Sequence, residues 1–177
     1  MNTAINFTPF PNLTTERLKL RRMRVGDCNE IFFLRSDERV LKYIGIQKAE
    51  TVDDARKYIE MINSGIDNNE SIMWAMSLKN SDKLIGTICF WNFSPDKSKA
   101  EIGYVLHPDF QGNGFMQEAV VKVIEYGFKT MRLNCIDADV DPNNSRSIKV
   151  SERNGFTLTS RSADTLIYSL LNNKHSG

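Results

Sequence analysis

The sequence predicts a mixed α/β fold, in which helices flank a largely antiparallel sheet. Apolar residues alternate along 72–78, and a polar turn separates this stretch from a second apolar stretch at 84–93, as in a β-hairpin. After residue 114, apolar residues return at helical spacing, and strand-like and helix-like segments then alternate toward the C-terminus. Alternation of this kind favours one parallel strand pair inside a mixed sheet.

The N-terminal third contains one predicted strand and two predicted helices. Leu18 and Leu20 alternate with charged residues, which is the pattern of a half-exposed strand. Asp27 followed by Glu30 has the spacing of a capping box, and it predicts that a helix begins there. A second helix is expected after Thr51, because acidic residues fill its first turn and apolar residues follow at helical spacing.

Three strands are predicted to form an antiparallel meander, because each is apolar and short polar turns separate them. They cover residues 72–78, 84–93 and 100–106. The rest of the chain adds a helix, a strand, a helix and two strands. Their expected positions are 116–128, 133–140, 144–155, 156–158 and 165–171.

The length of the chain fits one domain. A chain of 177 residues can bury one core but is too short for two ordinary domains. We expect an N-terminal lead-in over residues 1–13, a single domain over 14–171 and a flexible tail over 172–177.

Composition argues against several classes of protein. The formal net charge is +1, so charge gives no reason to expect direct binding to nucleic acid. The sequence lacks a secretory signal and a membrane-spanning stretch, so we expect a cytoplasmic protein without a membrane partner. Three widely spaced cysteines without a CxxC pair indicate neither a disulfide framework nor a metal site. A homodimer is left open.

A glycine-bearing loop joins the predicted strand 100–106 to the helix behind it. Gly112 and Gly114 permit the backbone to approach an anion closely, and the start of a helix adds favourable dipole charge. The loop lacks the lysine of a P-loop and comes too late in the chain for a dinucleotide-binding fold. From these residues alone, an anion-binding loop and a plain strand-to-helix turn both remain open.

The loop resembles the Q/R-x-x-G-x-G/A signature of the GCN5-related N-acetyltransferases (GNATs), with Gln111, Gly114 and Met116 at its defined positions. The segment 141–156, DPNNSRSIKVSERNGF, resembles the other signature of this family. Its matching residues are Asn144, Ser147, Arg153, Gly155 and Phe156. The opening TERLKLRRM and the strand AEIGYVL look most like the branch that contains the Rim-type ribosomal-protein N-terminal acetyltransferases. The resemblance covers about residues 14–171.

The resemblance implies the GNAT fold, with a sheet that splays between its fourth and fifth strands, and acetyl-CoA as the cosubstrate. In this family the loop binds the pyrophosphate, the motif asparagine and its helix flank the pantetheine arm, and backbone groups of the strand contact the pantetheine and the carbonyl. The implied binding residues are Val105, Leu106, Gln111, Gly112, Asn113, Gly114, Phe115, Met116, Asn144 and Arg153. No metal is expected.

Acetyl transfer to an amine requires a base for the amine and stabilisation of the oxyanion. Because AEIGYVL resembles the strand on which some members of the superfamily carry a glutamate base, Glu101 is the candidate base, and Asp139 is the second candidate. Strand alternation places Glu101 on the same face as Val105, near the implied splay. The alternative is that Glu101 forms a cross-strand ion pair.

The leaving thiolate also requires a proton. Many members of the superfamily have a tyrosine where this chain has Ser151. Ser147 is therefore the candidate donor, as in the ribosomal branch, and a water molecule is the alternative.

Three functions fit these residues. The first is acetylation of a protein N-terminal α-amine, of the ribosomal-protein type, by direct attack in a ternary complex. The second is acetylation of a small amine such as a polyamine or an aminoglycoside; a polyamine site should show clustered carboxylates, whereas a protein N-terminus needs an open channel. The third is a non-catalytic module that binds acyl-CoA.

Overall fold

Eight strands form one sheet in the computed structural model of the protein, which describes residues 5–173. In chain order they are β1 (Leu13–Thr14), β2 (Leu18–Arg21), β3 (Ile72–Leu78), β4 (Leu84–Trp91), β5 (Lys99–Leu106), β6 (Cys135–Val140), β7 (Thr157–Arg161) and β8 (Leu166–Leu171). The α-helices of the same part of the chain are α1 (Cys28–Leu34), α2 (Glu38–Leu41), α3 (Val52–Asp67), α4 (Phe115–Lys129) and α5 (Ser145–Arg153).

The order of strands across the sheet is β1-β2-β3-β4-β5-β6-β8-β7. All neighbouring pairs are antiparallel except β5 and β6, which are parallel. The predicted mixed sheet with one parallel pair is confirmed, and so is the meander of β3, β4 and β5. The sequence pattern does not predict the two-residue strand β1, so the predicted fourth and fifth strands are β5 and β6.

The parallel strands β5 and β6 pair over a short distance. Their register joins Lys99 to Cys135, Ala100 to Ile136 and Glu101 to Asp137. After Glu101, β5 continues against β4 alone, and β6 continues against β8 alone. The two strands therefore separate toward Leu106 and Val140, and the predicted splay is confirmed.

Apolar side chains cover both faces of the sheet. On one face, α4 buries Met116 and Val123 in the larger core cluster. On the other face, α1 and α3 bury Ile31 and Ile59 in a second cluster. Because helices cover both faces, β3 is buried on both sides along most of its length, although its sequence alternates.

Part of the predicted lead-in packs against the larger cluster. Phe7 is 1% exposed, and the indole N–H of Trp74 donates to the carbonyl of Pro11 at 2.7 Å. These contacts tie the lead-in to the centre of β3. Residues 1–4 of the predicted lead-in and residues 174–177 of the predicted tail lie outside the described residues.

The two helix starts predicted in the N-terminal third are correct, because α1 begins at Cys28 and α3 at Val52. Thr51 and Asp54 form a reciprocal capping box at the start of α3, with N···O distances of 3.2 and 2.9 Å. The box predicted from Asp27 and Glu30 is wrong. The Asp27 carboxylate instead pairs with Arg21 at 2.7 Å and accepts from the backbone N–H of Arg24 at 2.8 Å. A buried ion pair with two donors engages this carboxylate more strongly than a helix end does.

Gly127→Ala is expected to destabilise the protein by about 1–2 kcal/mol, although alanine favours a helix interior by about 1 kcal/mol. An added Cβ would lie 2.9 Å from Cζ of Phe90 and 3.3 Å from Cδ1 of Ile136, so α4 would have to move away from the sheet. Urea unfolding measures the change. Gly65→Ala in α3 is the control, because its Cβ would meet the rotatable hydroxyl of Ser71 at 3.1 Å. Equal midpoints for the two variants would contradict this packing.

Candidate active site

A cavity of about 1090 Å³ opens at the splay of β5 and β6. Its floor is the face of β3, β4 and β5 that carries Cys89, Glu101 and Gly103. Residues of α1 and α3 and the segment after α2 form one wall, and the start of α5 with the loop between β7 and β8 forms the other. The cavity therefore joins the predicted catalytic strand to the predicted pantetheine side.

The splay leaves backbone groups of β5 without strand partners. From Ile102 to Leu106, β5 is paired to β4 on one edge and has no rung with β6 on the other. Unpaired N–H and C=O groups along a strand edge form a surface that an extended polar chain can bind. Val105, one of the predicted contacts, lies on this stretch and lines the cavity.

The predicted anion-binding loop precedes α4 with two glycines in the left-handed region. Gly112 has φ +79° and Gly114 has φ +78°, so both positions strongly favour glycine. Gly114 is the N-cap of α4 and supplies no side-chain cap. The N–H groups of the first turn, including that of Phe115, are therefore free of a side-chain cap and suited to an anion.

The side chain of Met116, at the last position of the loop signature, is directed into the protein. It is 9% exposed and belongs to the larger core cluster. Asn113 is exposed, and its side-chain amide donates to the carbonyls of Phe110 and Gln111 at 3.4 and 3.2 Å. The Met116 side chain is thus taken up by the core, and the Asn113 amide by carbonyl groups of the loop backbone.

Gln111 links the two sides of the splay. Its side-chain amide donates to the carbonyl of Leu106 at 3.0 Å, and its Oε1 accepts from Arg146 on α5. The link connects the end of β5 to the start of α5, where the two strands are farthest apart. Sequence reasoning missed Arg146, because it lies between the matched motif residues Asn144 and Ser147. A cation so close to Asn144 was the one sign in the sequence that this position could contact a ligand.

Glu101 lies at the last paired rung of β5, where the splay begins. It is half-buried, and its Oε2 accepts from the side-chain amide of Asn92 at 3.3 Å. Burial raises the pKa of Glu101, the nearby Asp139 and Asp137 carboxylates raise it further, and the Asn92 bond and Lys99 oppose the shift. A carboxyl group with a raised pKa is a stronger base than an ordinary one.

The alternative, an ion pair at Glu101, does not form among residues 5–173. The cation next to it, Lys99, pairs instead with Asp137 at 2.6 Å. Burial alone would raise the pKa of Asp137, but Lys99 and Ser169 hydrogen-bond to it and hold the pKa below its usual range. Asp139 also lines the cavity and accepts from the hydroxyl of Thr165.

Ser147 and Asn144 lie together at the start of α5. The Oδ1 of Asn144 caps the helix by accepting from the N–H of Ser147 at 3.2 Å, and both residues line the cavity. Tyr104, which sequence reasoning missed, lies on the opposite face of β5 from Glu101. Burial raises the pKa of Tyr104, and hydrogen bonds with the hydroxyls of Ser147 and Ser151 oppose the shift. Ser151, at the position where many members of the superfamily have a tyrosine, therefore lies next to Tyr104 of β5.

Arg153 and His107 do not line the cavity. Arg153 is exposed at the C-terminal end of α5. The His107 ring stacks on Phe33 with centroids 4.2 Å apart, and its Nδ1 accepts from the N–H of Asp109 at 3.2 Å. His107 therefore packs α1 against the start of the loop.

Aromatic rings and charges of both signs line the cavity. Trp91 and Tyr43 line it, and Trp91 is 48% exposed. Its acidic lining residues are Glu70, Glu101, Asp139, Asp141 and Asp164. Its basic lining residues are Arg35, whose guanidinium lies 3.9 Å from the ring centroid of Tyr58, and Lys42. Among residues 5–173, neither cation has a carboxylate partner.

The profile of a family described as "Acetyltransferase (GNAT) domain" matches residues 17–157. The chain belongs to the GNAT acetyltransferase family. Membership makes it an acetyl-CoA-dependent N-acetyltransferase. The N-acetyltransferase p20 of Bacillus licheniformis is 35% identical over 93% of this chain and 98% of its own length.

Other GNAT proteins share the fold or part of the sequence. Spermidine N(1)-acetyltransferase of Vibrio cholerae is 24% identical over 79% of each chain. The solved structure of RimL, a ribosomal L7/L12 α-N-protein acetyltransferase in complex with coenzyme A, has a TM-score of 0.82 at 19% identity, covering 91% of this chain and 98% of that one. This likeness establishes the fold.

The site fits the GNAT cosubstrate. The uncapped first turn of α4, with Gly112 and Gly114 before it, suits a pyrophosphate, and the open edge of β5 suits the amides of a pantetheine arm. In the described part of the chain, His, Cys, Asp and Glu side chains form no cluster that would hold a metal ion. None of the helices between residues 5 and 173 has the length and apolarity needed to cross a membrane.

Asn92→Gly is expected to raise the pKa of Glu101, because it removes the amide that hydrogen-bonds to the carboxylate. Glycine is the suitable replacement, since Asn92 has φ +49°. The measurement is an NMR titration of the Glu101 side-chain carbonyl in both proteins. An unchanged or lower pKa in the variant would show that the Asn92 bond does not act on this carboxyl group.

Proposed function

We propose that the protein acetylates the N-terminal α-amine of a protein, with Glu101 as the general base and direct attack of the amine on acetyl-CoA. The observation that carries the proposal is the open cavity that leads to Glu101 and contains charges of both signs. A ribosomal-protein acceptor would place the reaction in the cytoplasm.

Acetyl-CoA supplies the thioester that the amine attacks and the thiolate that leaves. Gly112, Gly114 and the first turn of α4 would hold its pyrophosphate. Arg146 and Gln111 form a side-chain hydrogen bond next to this loop, so both would be able to contact the bound acetyl-CoA. The open edge of β5 near Val105 and Leu106 would align the pantetheine.

Glu101 accepts the proton that the attacking nitrogen loses. An α-amino group has a pKa of about 8, so much of it is protonated near neutral pH, and the carboxylate also favours its binding as a cation. The raised pKa of Glu101 follows from burial beside two other carboxylates, without a cation of its own. This arrangement suits a base that must be regenerated in each turnover.

Three further groups complete the transfer. A backbone N–H on the open edge of β5 near Val105 donates to the oxyanion that develops on the attacked carbonyl, a type of contact that contributes about 3–4 kcal/mol. The hydroxyl of Ser147 gives a proton to the thiolate sulfur as the C–S bond breaks. The raised pKa of Tyr104 keeps it protonated near neutral pH, and Ser147 regains its proton from Tyr104 or from solvent.

The two cations of the cavity favour a peptide acceptor. Arg35 and Lys42 would repel a polycation, whereas a peptide presents carbonyl oxygens and side chains that these cations can bind. The exposed ring of Trp91 adds an apolar contact for a side chain near the N-terminus. The open shape admits an extended chain end.

A polyamine is the second candidate acceptor. The acidic side chains of the cavity outnumber the basic ones by five to two, which is the clustering that a polyamine requires. Glu70 and Asp164 lie outside the strand that carries Glu101, so they would bind the distal amines. The relationship to a spermidine acetyltransferase agrees with this candidate.

Glu101→Gln is expected to lower kcat by about 100-fold or more and to remove the acidic limb of the pH profile. Because the pKa of Glu101 is raised, wild-type activity should fall as the pH decreases through that raised value. Asp139→Asn is the matched control: loss of its charge lowers the pKa of Glu101 and moves the limb to lower pH. Large loss in Asp139→Asn with little loss in Glu101→Gln would make Asp139 the base.

Thiol release from acetyl-CoA with a panel of acceptors tests the choice of amine. We expect peptides with free α-amines to react and their N-acetylated forms to be inert, with lower kcat/KM for spermidine. Arg35→Ala should lower kcat/KM for peptides and raise it for spermidine, because the removed cation repels a polyamine. Preference for spermidine, together with a loss of its turnover in Asp164→Asn, would replace the peptide proposal with the polyamine one.

A further inference from the structure

Arg17 connects the start of the sheet to the anion-binding loop. It lies between β1 and β2, yet its Nη1 donates to the carbonyl of Asn113 at 3.0 Å and its Nε pairs with Glu118 at 2.7 Å. Its guanidinium carbon lies 4.4 Å from the ring centroid of Phe115. All three partners lie in the loop or the first turn of α4, about one hundred residues further along the chain.

The segment between β1 and β2 also bonds to Glu118. Its Oε1 accepts from the backbone N–H of Arg17 at 2.8 Å and from the hydroxyl of Thr15. Burial alone would raise the pKa of Glu118, but the bonds from Thr15 and Arg17 outweigh it and keep the pKa below its usual range. An ionised carboxylate in the first turn of α4 would repel a phosphate at the same helix end unless a cation compensates it.

We propose that Arg17 is a positioning residue for acetyl-CoA, which fixes the pyrophosphate loop through Asn113 and neutralises Glu118 beside it. The proposal rests on the assignment of this loop to the pyrophosphate. With the Asn113 carbonyl bonded to Arg17, the loop presents N–H groups rather than a free carbonyl oxygen to the anion. The TERL motif near the N-terminus thereby belongs to the donor site.

Lysine cannot replace these contacts. The planar guanidinium makes two separate hydrogen bonds and lies over the ring of Phe115 at once, whereas an ammonium is a point charge without a flat face. The Arg17 side chain is also 43% exposed, and exposed ion pairs contribute little to stability. A role in folding alone would therefore not account for the geometry.

The test compares two donors. Arg17→Ala should raise KM for acetyl-CoA and Kd for coenzyme A by about tenfold or more, because it removes two charge-assisted bonds around the loop. Kinetics with acetyl-pantetheine, which lacks the pyrophosphate, should be unchanged. Arg17→Lys should recover the part that depends on charge alone. Lys19→Ala is the control and should match wild type, because it removes only an ion pair between β2 and Asp82 in the turn after β3, at 2.7 Å.

An equal loss with both donors, or an unchanged Kd for coenzyme A in Arg17→Ala, would overturn the proposal and leave Arg17 as a structural contact. Calorimetric binding of coenzyme A requires no acceptor amine, so this result is independent of the proposed reaction. If wild type binds coenzyme A but acetylates no peptide or polyamine, the proposed function fails while the role of Arg17 is still decided by Kd.

Discussion

The site depends on the point at which β5 and β6 stop pairing. Each strand keeps one partner beyond Glu101 and Asp137, so the facing edges lose their hydrogen bonds together. Backbone groups without partners are costly when shielded from water, and an extended ligand chain is the partner that such an edge accepts. Glu101 occupies the apex of this opening because it belongs to the last paired rung. The same break in the sheet therefore creates the donor cleft and places the proposed base beside it.

Burial is the main cause of the raised pKa of Glu101, and Lys99, two residues away on β5, is engaged by another carboxylate. The parallel register puts Asp137 directly opposite Glu101, and Asp137 takes the lysine at 2.6 Å. Glu101 is left with the neutral amide of Asn92, and burial and two neighbouring carboxylates raise its pKa. A shift of the strands by one residue would change this partnership, so the basicity of Glu101 also depends on the sheet register.

Local patterns in the sequence predict local structure and fail where partners are distant. The helix start after Thr51, the strand-to-helix connection before α4 and the strand periods depend on neighbouring residues, and each is confirmed. Asp27 fits a capping box by its spacing, but its partner is Arg21, whose position is known only once the chain is folded. Arg17 contacts Asn113 across 96 residues, and no spacing rule contains that information. Family resemblance indicated Ser147 as the candidate proton donor. That Tyr104 lies near it is known only from how β5 packs against α5 in the folded chain.

The loop before α4 contacts both the proposed donor region and the proposed acceptor region. Arg17 fixes its far end through Asn113, while His107 at its near end stacks on Phe33 of α1, which borders the acceptor cavity. Direct transfer requires both substrates to be held at near contact, because a misplaced reactant loses much of the advantage of a bound complex. The loop before α4 contacts α1 through His107 and the start of the sheet through Arg17. These two contacts would hold the two substrates close to each other. Arg17 and His107 lie outside the two family signatures, so the signatures alone do not contain the contacts that hold this loop.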